Sequence, residues 1–209
     1  MTGTTGDDIL VGSPGNDVIV GLGGNDIIRG GFGDDVICGD EGNDVIVGGP
    51  GSDGLSGGLG IDRAVGGDGN DVVSGEFGAD QLLGGEGADE LHGAEGADLL
   101  RGGDAGDIID GGADTDTIVG GDGADNVFGG EGADTIRGRG SGDRLFGNGD
   151  RDLSATAAAI SVATMMPSIA QNSVVNGAHL VSERRPVSRV PVDSIRSPTD
   201  LSVASCVAL

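Results

Sequence analysis

The stretch GGEGADTIR, Gly129 to Arg137, decides how the whole chain is read, because it is one of many copies. Counting outward from it in steps of nine, sixteen consecutive units run from Gly3 to Phe146 without one insertion or deletion. The first position is Gly in all sixteen units, the sixth is Asp in all sixteen, and the eighth is always apolar. Position 4 is Gly in thirteen units and position 2 in nine, so the template is G-G-x-G-x-D-x-U-x, with U an aliphatic residue.

Each part of the template has a physical role. Glycine at positions 1, 2 and 4 lets the backbone turn sharply and visit positive φ, giving a six-residue loop that few other sequences could follow. Three residues remain for a strand, and alternation along it turns position 8 one way and positions 7 and 9 the other. A three-residue strand cannot bury itself, so units must stack, and a loop after every strand makes two units one coil turn. The expected fold is all-β: a parallel β-roll, a right-handed β-solenoid of sixteen nonapeptide repeats. Odd units form one sheet and even units the other, with eight turns at ~4.8 Å spacing giving a rod of roughly 38 Å. Its core is one row of aliphatic residues from each side.

Stacking also places the position-6 carboxylates above one another along both edges. They are Asp8, Asp17, Asp26, Asp35, Asp44, Asp53, Asp62, Asp71, Asp80, Asp89, Asp98, Asp107, Asp116, Asp125, Asp134 and Asp143. A column of carboxylates about 5 Å apart would repel or raise its pKa values, and neither favours folding at neutral pH. A hard divalent ion between successive loops removes the conflict. Calcium accepts six to eight carboxylate and carbonyl oxygens in flexible geometry, whereas magnesium demands a tighter octahedron and keeps its waters. All sixteen aspartates are therefore candidate metal ligands. Residues 1–152 hold 32 acidic side chains and 7 Arg, whereas 153–209 hold 3 acidic side chains and 4 Arg. If each loop closes a site with the loop two units on, about fourteen calcium ions bind, and their charge nearly neutralises the rod. A core of one residue per unit does not offset ordering costs of ~1–2 kcal/mol per residue, so the rod is expected to need its metal to fold.

Composition narrows the function classes. With 46 Gly, 4 Phe and no Trp or Tyr in 209 residues, the chain reads as one elongated repeat domain with a tail rather than a globular enzyme. A net charge of −24 argues against nucleic acid and anionic membranes as partners. No stretch is apolar enough to span a bilayer, and Met1 and Thr2 lead into the first unit without the pattern of an N-terminal signal peptide. The outward positions of the early units carry Ile9, Val11, Val18, Val20, Val45 and Val47. Such a face offers a surface for the tail, for self-association with another copy or for a neighbouring domain, although strand propensity alone would also explain it.

Catalytic signals fail on context. Gly54-Leu55-Ser56-Gly57-Gly58 has the spacing of a nucleophile elbow, but Ser56 is position 9 of a repeat, where no strand-to-helix turn is available. His92 is another position-9 residue, His179 lies in the tail, and no H-E-x-x-H is present. Cys38 and Cys206 could pair only if the tail docked on the roll. The chain is expected not to be an enzyme.

Departures from the template mark its limits. Ala105, Asp114 and Ser141 stand at position 4, where a side chain strains a left-handed loop. After Phe146 the template decays, Leu153 falls out of register, Ser154 takes the apolar slot, and the roll is expected to end near residue 152. The domains are thus a roll over 3–152 and a low-complexity, mostly irregular tail over 153–209, with room for a short helix over Ala155 to Met166.

The units resemble the hemolysin-type calcium-binding nonapeptide repeats of RTX proteins. The resemblance implies calcium chelated by position-6 aspartates and loop carbonyls, an extracellular setting, and export by type I secretion machinery with a signal in the C-terminal tail. It implies calcium binding with a structural or folding role as the function. Alternatives are an adhesin or ice- or surface-binding segment, or the repeat part of a truncated secreted hydrolase or toxin. An ice-binding row would want regular Thr or Asn at loop positions 3 and 5, whereas position 3 mixes Thr5, Pro14, Phe32, Glu41 and Asp68.

Overall fold

The computed structural model describes residues 1–148 and 152–155. The expectations for the remaining tail, including its short helix, its secretion signal and any pairing of Cys206, lie outside the described residues.

The described residues form a parallel β-roll. Strands run from β1 (Ile9–Val11) to β17 (Leu153–Ala155) and alternate between two sheets, nine odd-numbered strands in one and eight even-numbered in the other. Pairing is parallel and always to the strand eighteen residues away: Leu10 meets Ile28, Ile46 meets Ala64, and Ile118 meets Ile136. This is the register that a two-unit turn imposes. All sixteen position-8 residues are buried, from Leu10 to Leu145, and together they form a single core cluster. Ala64 is fully enclosed among them.

The strands are longer than three residues. β5 (Val45–Pro50) and β7 (Arg63–Asp68) each cross a unit boundary, and their ladder continues through Gly49↔Gly67 and Pro50↔Asp68. Most strands therefore take in positions 1 to 3 of the next unit, and the true loop shrinks to positions 4 to 6. Only β1, β3 (Ile27–Arg29), β16 (Arg144–Phe146) and β17 keep three residues. The expected six-residue loop is wrong because glycine-rich backbone at positions 1 and 2 remains close enough to its neighbours to pair.

Glycine at position 4 answers to a close approach. Gly42 sits at φ +136, and a Cβ there would collide with the Gly24 carbonyl of the loop below. Where the template lacks this glycine, two outcomes occur. Ala105 (φ 67) and Asp114 (φ 74) adopt the left-handed conformation themselves, whereas at Ser141 the positive φ moves to the following Gly142. The register also runs beyond Phe146: β17 pairs with β15 (Thr135–Arg139), matching Leu153 to Thr135. Leu153, expected out of register, thus occupies position 7 of a seventeenth unit.

The outer faces carry the exposed apolar residues Ile9, Val11, Val18 and Ile27 at the N-terminal end. Ser56 lies within β6 (Gly54–Leu59), paired with Ser74 of β8 (Val72–Phe77). The residues flanking it are strand, which removes the geometry of a nucleophile elbow. Among the described residues no helix is long and apolar enough to cross a membrane.

Candidate metal centres

Each position-6 aspartate stands at the point where a loop enters a strand, so the period of nine aligns the carboxylates in two columns. From Asp26 to Asp134 these side chains are at most 3% exposed, and Asp143 is 8% exposed. Asp8 and Asp17 are half-buried.

The two oxygens of each carboxylate differ. Oδ1 accepts the backbone N–H of the aspartate eighteen residues earlier: Asp26 donates to Asp44 at 2.7 Å, Asp62 to Asp80 at 2.8 Å and Asp98 to Asp116 at 2.9 Å. The series continues to Asp134 and Asp152, at 3.1 Å. Oδ2 has no hydrogen-bond partner in fourteen aspartates, Asp26, Asp35, Asp44, Asp53, Asp62, Asp71, Asp80, Asp89, Asp98, Asp107, Asp116, Asp125, Asp134 and Asp143. A buried carboxylate oxygen without a donor is costly, and fourteen of them in register call for a common solution.

The surroundings of Oδ2 supply oxygen. At Gly21, position 1 of its unit, a Cβ would meet both Asp26 Oδ2 and the carbonyl of Gly39 in the coil turn above. The same pair recurs at Gly102, with Asp107 Oδ2 and the Gly120 carbonyl, and at Gly120, with Asp125 Oδ2 and the Gly138 carbonyl. The invariant glycine of position 1 therefore keeps a cradle open in which carboxylate and carbonyl oxygens converge. Among the described residues no three carboxylate, imidazole or thiol groups gather at one point. A cation held here would take its remaining ligands from the backbone. That all-oxygen donor set suits a hard cation such as calcium and lacks the nitrogen and sulfur that zinc prefers.

The titration behaviour agrees. Burial, as the largest cause, pushes Asp62, Asp71, Asp107 and Asp116 up to about 7 and Asp80 up to about 6. The backbone N–H on Oδ1 opposes the rise, and neighbouring column carboxylates add to it. Asp44, Asp53, Asp89, Asp98, Asp125 and Asp134 are raised for the same leading reason.

A second row lies outside the column at position 5. Asn25 N–H donates to Asp7 Oδ1 at 2.8 Å, Asn43 N–H to Asn25 Oδ1 at 2.9 Å, and Ile61 N–H to Asn43 Oδ1 at 2.7 Å. Ala88 N–H still finds Asn70 Oδ1 at 2.9 Å. Ala at positions 79, 88, 97, 124 and 133 removes the acceptor for the loop above. Nothing in the structure explains why the later units give it up. The sequence does not announce this row, because it depends on loop-to-loop distance.

No curated protein matches the chain significantly. The family model described as RTX calcium-binding nonapeptide repeat (4 copies) matches in overlapping segments, 2–37, 24–55, 33–64, 56–91, 83–118, 92–127 and 119–153. The matched segments span the whole roll and most of the chain. With a nine-residue period, a parallel roll and a buried aspartate column, the protein belongs to the RTX calcium-binding nonapeptide repeat family.

Proposed function

We propose that the chain is a secreted structural module whose rod folds because it binds calcium, with Asp26 to Asp143 of the position-6 column as its carboxylate ligands. The observation that carries this reading is the set of fourteen buried Oδ2 atoms without a donor, each beside a glycine cradle. The core is one aliphatic residue per unit, too thin to offset both chain ordering and fourteen desolvated carboxylates. Metal binding supplies the missing stabilisation, and it does so only where calcium reaches extracellular levels, with affinities of ~10⁻⁴–10⁻³ M for such modules. Membership of the RTX calcium-binding repeat family supports that extracellular setting. Export by type I machinery in a calcium-poor, unfolded state fits that switch. The rod carries no catalytic assembly in this reading.

Circular dichroism of the full chain titrated with calcium, with magnesium as the control, tests the proposal. The expected result is a β signal that develops cooperatively with calcium in the submillimolar to millimolar range. A full signal in chelator, or an equal response to magnesium, overturns it.

A further inference from the structure

The first two loops differ from the column above them. Asp8 and Asp17 occupy position 6, yet Oδ2 of each already has two donors. Thr4 gives Asp8 its N–H at 2.6 Å and its hydroxyl at 2.8 Å. Ser13 gives Asp17 its N–H at 2.6 Å and its hydroxyl at 2.9 Å. The corresponding oxygen is buried and without a partner from Asp26 to Asp143.

The cause lies at position 2, which Thr4 and Ser13 occupy. Later residues at that position adopt positive φ, whether glycine, as Gly49 (φ 123), or not, as Leu22 (φ 82), Glu76 (φ 75) and Ala94 (φ 78). Their amides can then run along the column: Gly31 N–H donates to the Gly48 carbonyl at 3.0 Å and Gly130 N–H to that of Gly147 at 3.2 Å. Thr4 and Ser13 stay out of the left-handed region, which a β-branched threonine strongly disfavours. Their amides turn inward onto the carboxylate instead, and a hydroxyl at the same residue adds a second bond.

We propose that Thr4–Asp8 and Ser13–Asp17 form a metal-free N-terminal cap, and that the cation sites begin at Asp26. Two charge-assisted bonds give each capping carboxylate the compensation that a cation gives the others. The glycine cradle is still present there, since a Cβ on Gly3 or Gly12 would meet the Gly21 or Gly30 carbonyl and the Asp8 or Asp17 Oδ2, so what sets these two carboxylates apart is that their Oδ2 is already hydrogen-bonded. Hydroxyl and amide donors thus close this end of the column, the role a capping repeat has in a solenoid. The inference rests on calcium occupying the column, and it removes Asp8 and Asp17 from the sixteen candidate ligands.

Equilibrium dialysis of the full chain against radioactive calcium tests it on wild type, D8N/D17N and D62N/D71N. Asparagine keeps an oxygen for the Thr4 and Ser13 donors, so D8N/D17N is expected to bind as many ions as wild type, with a midpoint within about twofold. D62N/D71N is expected to bind fewer. A loss of one or more ions in D8N/D17N overturns the cap and leaves the calcium reading intact, whereas no uptake by wild type overturns both. T4V/S13A provides a separate readout: the calcium-loaded chain should melt earlier with its ion count unchanged. A melting temperature equal to wild type also overturns the cap.

Discussion

Asp80 Oδ1 accepts the backbone N–H of Asp62 at 2.8 Å across eighteen residues, while Asp80 Oδ2, on the same buried carboxylate, has no donor. One oxygen therefore links the loops, and the other is left for a ligand. Replacing Asp80 with asparagine can keep the first function while removing the anionic oxygen from the second. D80N is expected to raise the calcium midpoint for folding by roughly tenfold, the size of a ~1.4 kcal/mol loss. Asp114, an exposed position-4 residue, serves as the control. D114N should change the midpoint less than D80N does, and equal shifts in a dichroism titration would count against the ligand assignment.

Burial raises the carboxyl pKa of Asp62, Asp71, Asp107 and Asp116 to about 7 in the folded, metal-free roll. The folded form thus holds protons that an unfolded chain has already released. This contribution to the stability of the metal-free roll is present below the ordinary carboxylate range and is lost as pH rises through about 7. In chelator, β structure should be greater near pH 5 than near pH 8. Calcium displaces those protons, so its apparent affinity should rise with pH over the same window, with proton release measurable by calorimetry in buffers of different ionisation enthalpy. A metal-free β signal that grows from pH 5 to pH 8 would contradict the assignment.

Gly42 and Gly15 share position 4 but differ in what surrounds them. A Cβ on Gly42 would strike the Gly24 carbonyl at φ +136, whereas a Cβ on Gly15 has nothing within 4 Å. G42A is expected to destabilise the calcium-loaded rod by about 1–3 kcal/mol, the scale of backbone strain at such sites. G15A should cost well under 1 kcal/mol. Thermal unfolding in saturating calcium distinguishes them, and similar melting temperatures would show that the loops yield to accommodate the methyl group.

Ile118 is fully buried, with Leu100 and Ile136 as its cross-strand neighbours. I118A opens the core at a point where one residue per unit is the whole inward set, and should cost about 2–5 kcal/mol. Val11, exposed on the outer face of β1, should tolerate V11A within about 0.5 kcal/mol. Calcium-dependent unfolding curves of the two variants would reveal an error in which face is buried.

The sequence by itself determined the period, the parallel stacking, the inward residue of each unit and the two aspartate columns. An uninterrupted nine-residue register allows one stacking offset, eighteen residues, and the two-residue pleat then assigns every side chain to a face. Only the tertiary structure decided how far the strands run, where the roll continues past Phe146, and which oxygen of each carboxylate is free. Those outcomes depend on φ at position 2 and on the distance between stacked loops. Thr4 and Ser13 show the difference: in sequence they are two lapses from glycine, and in the fold they are the donors that set Asp8 and Asp17 apart from the fourteen aspartates above.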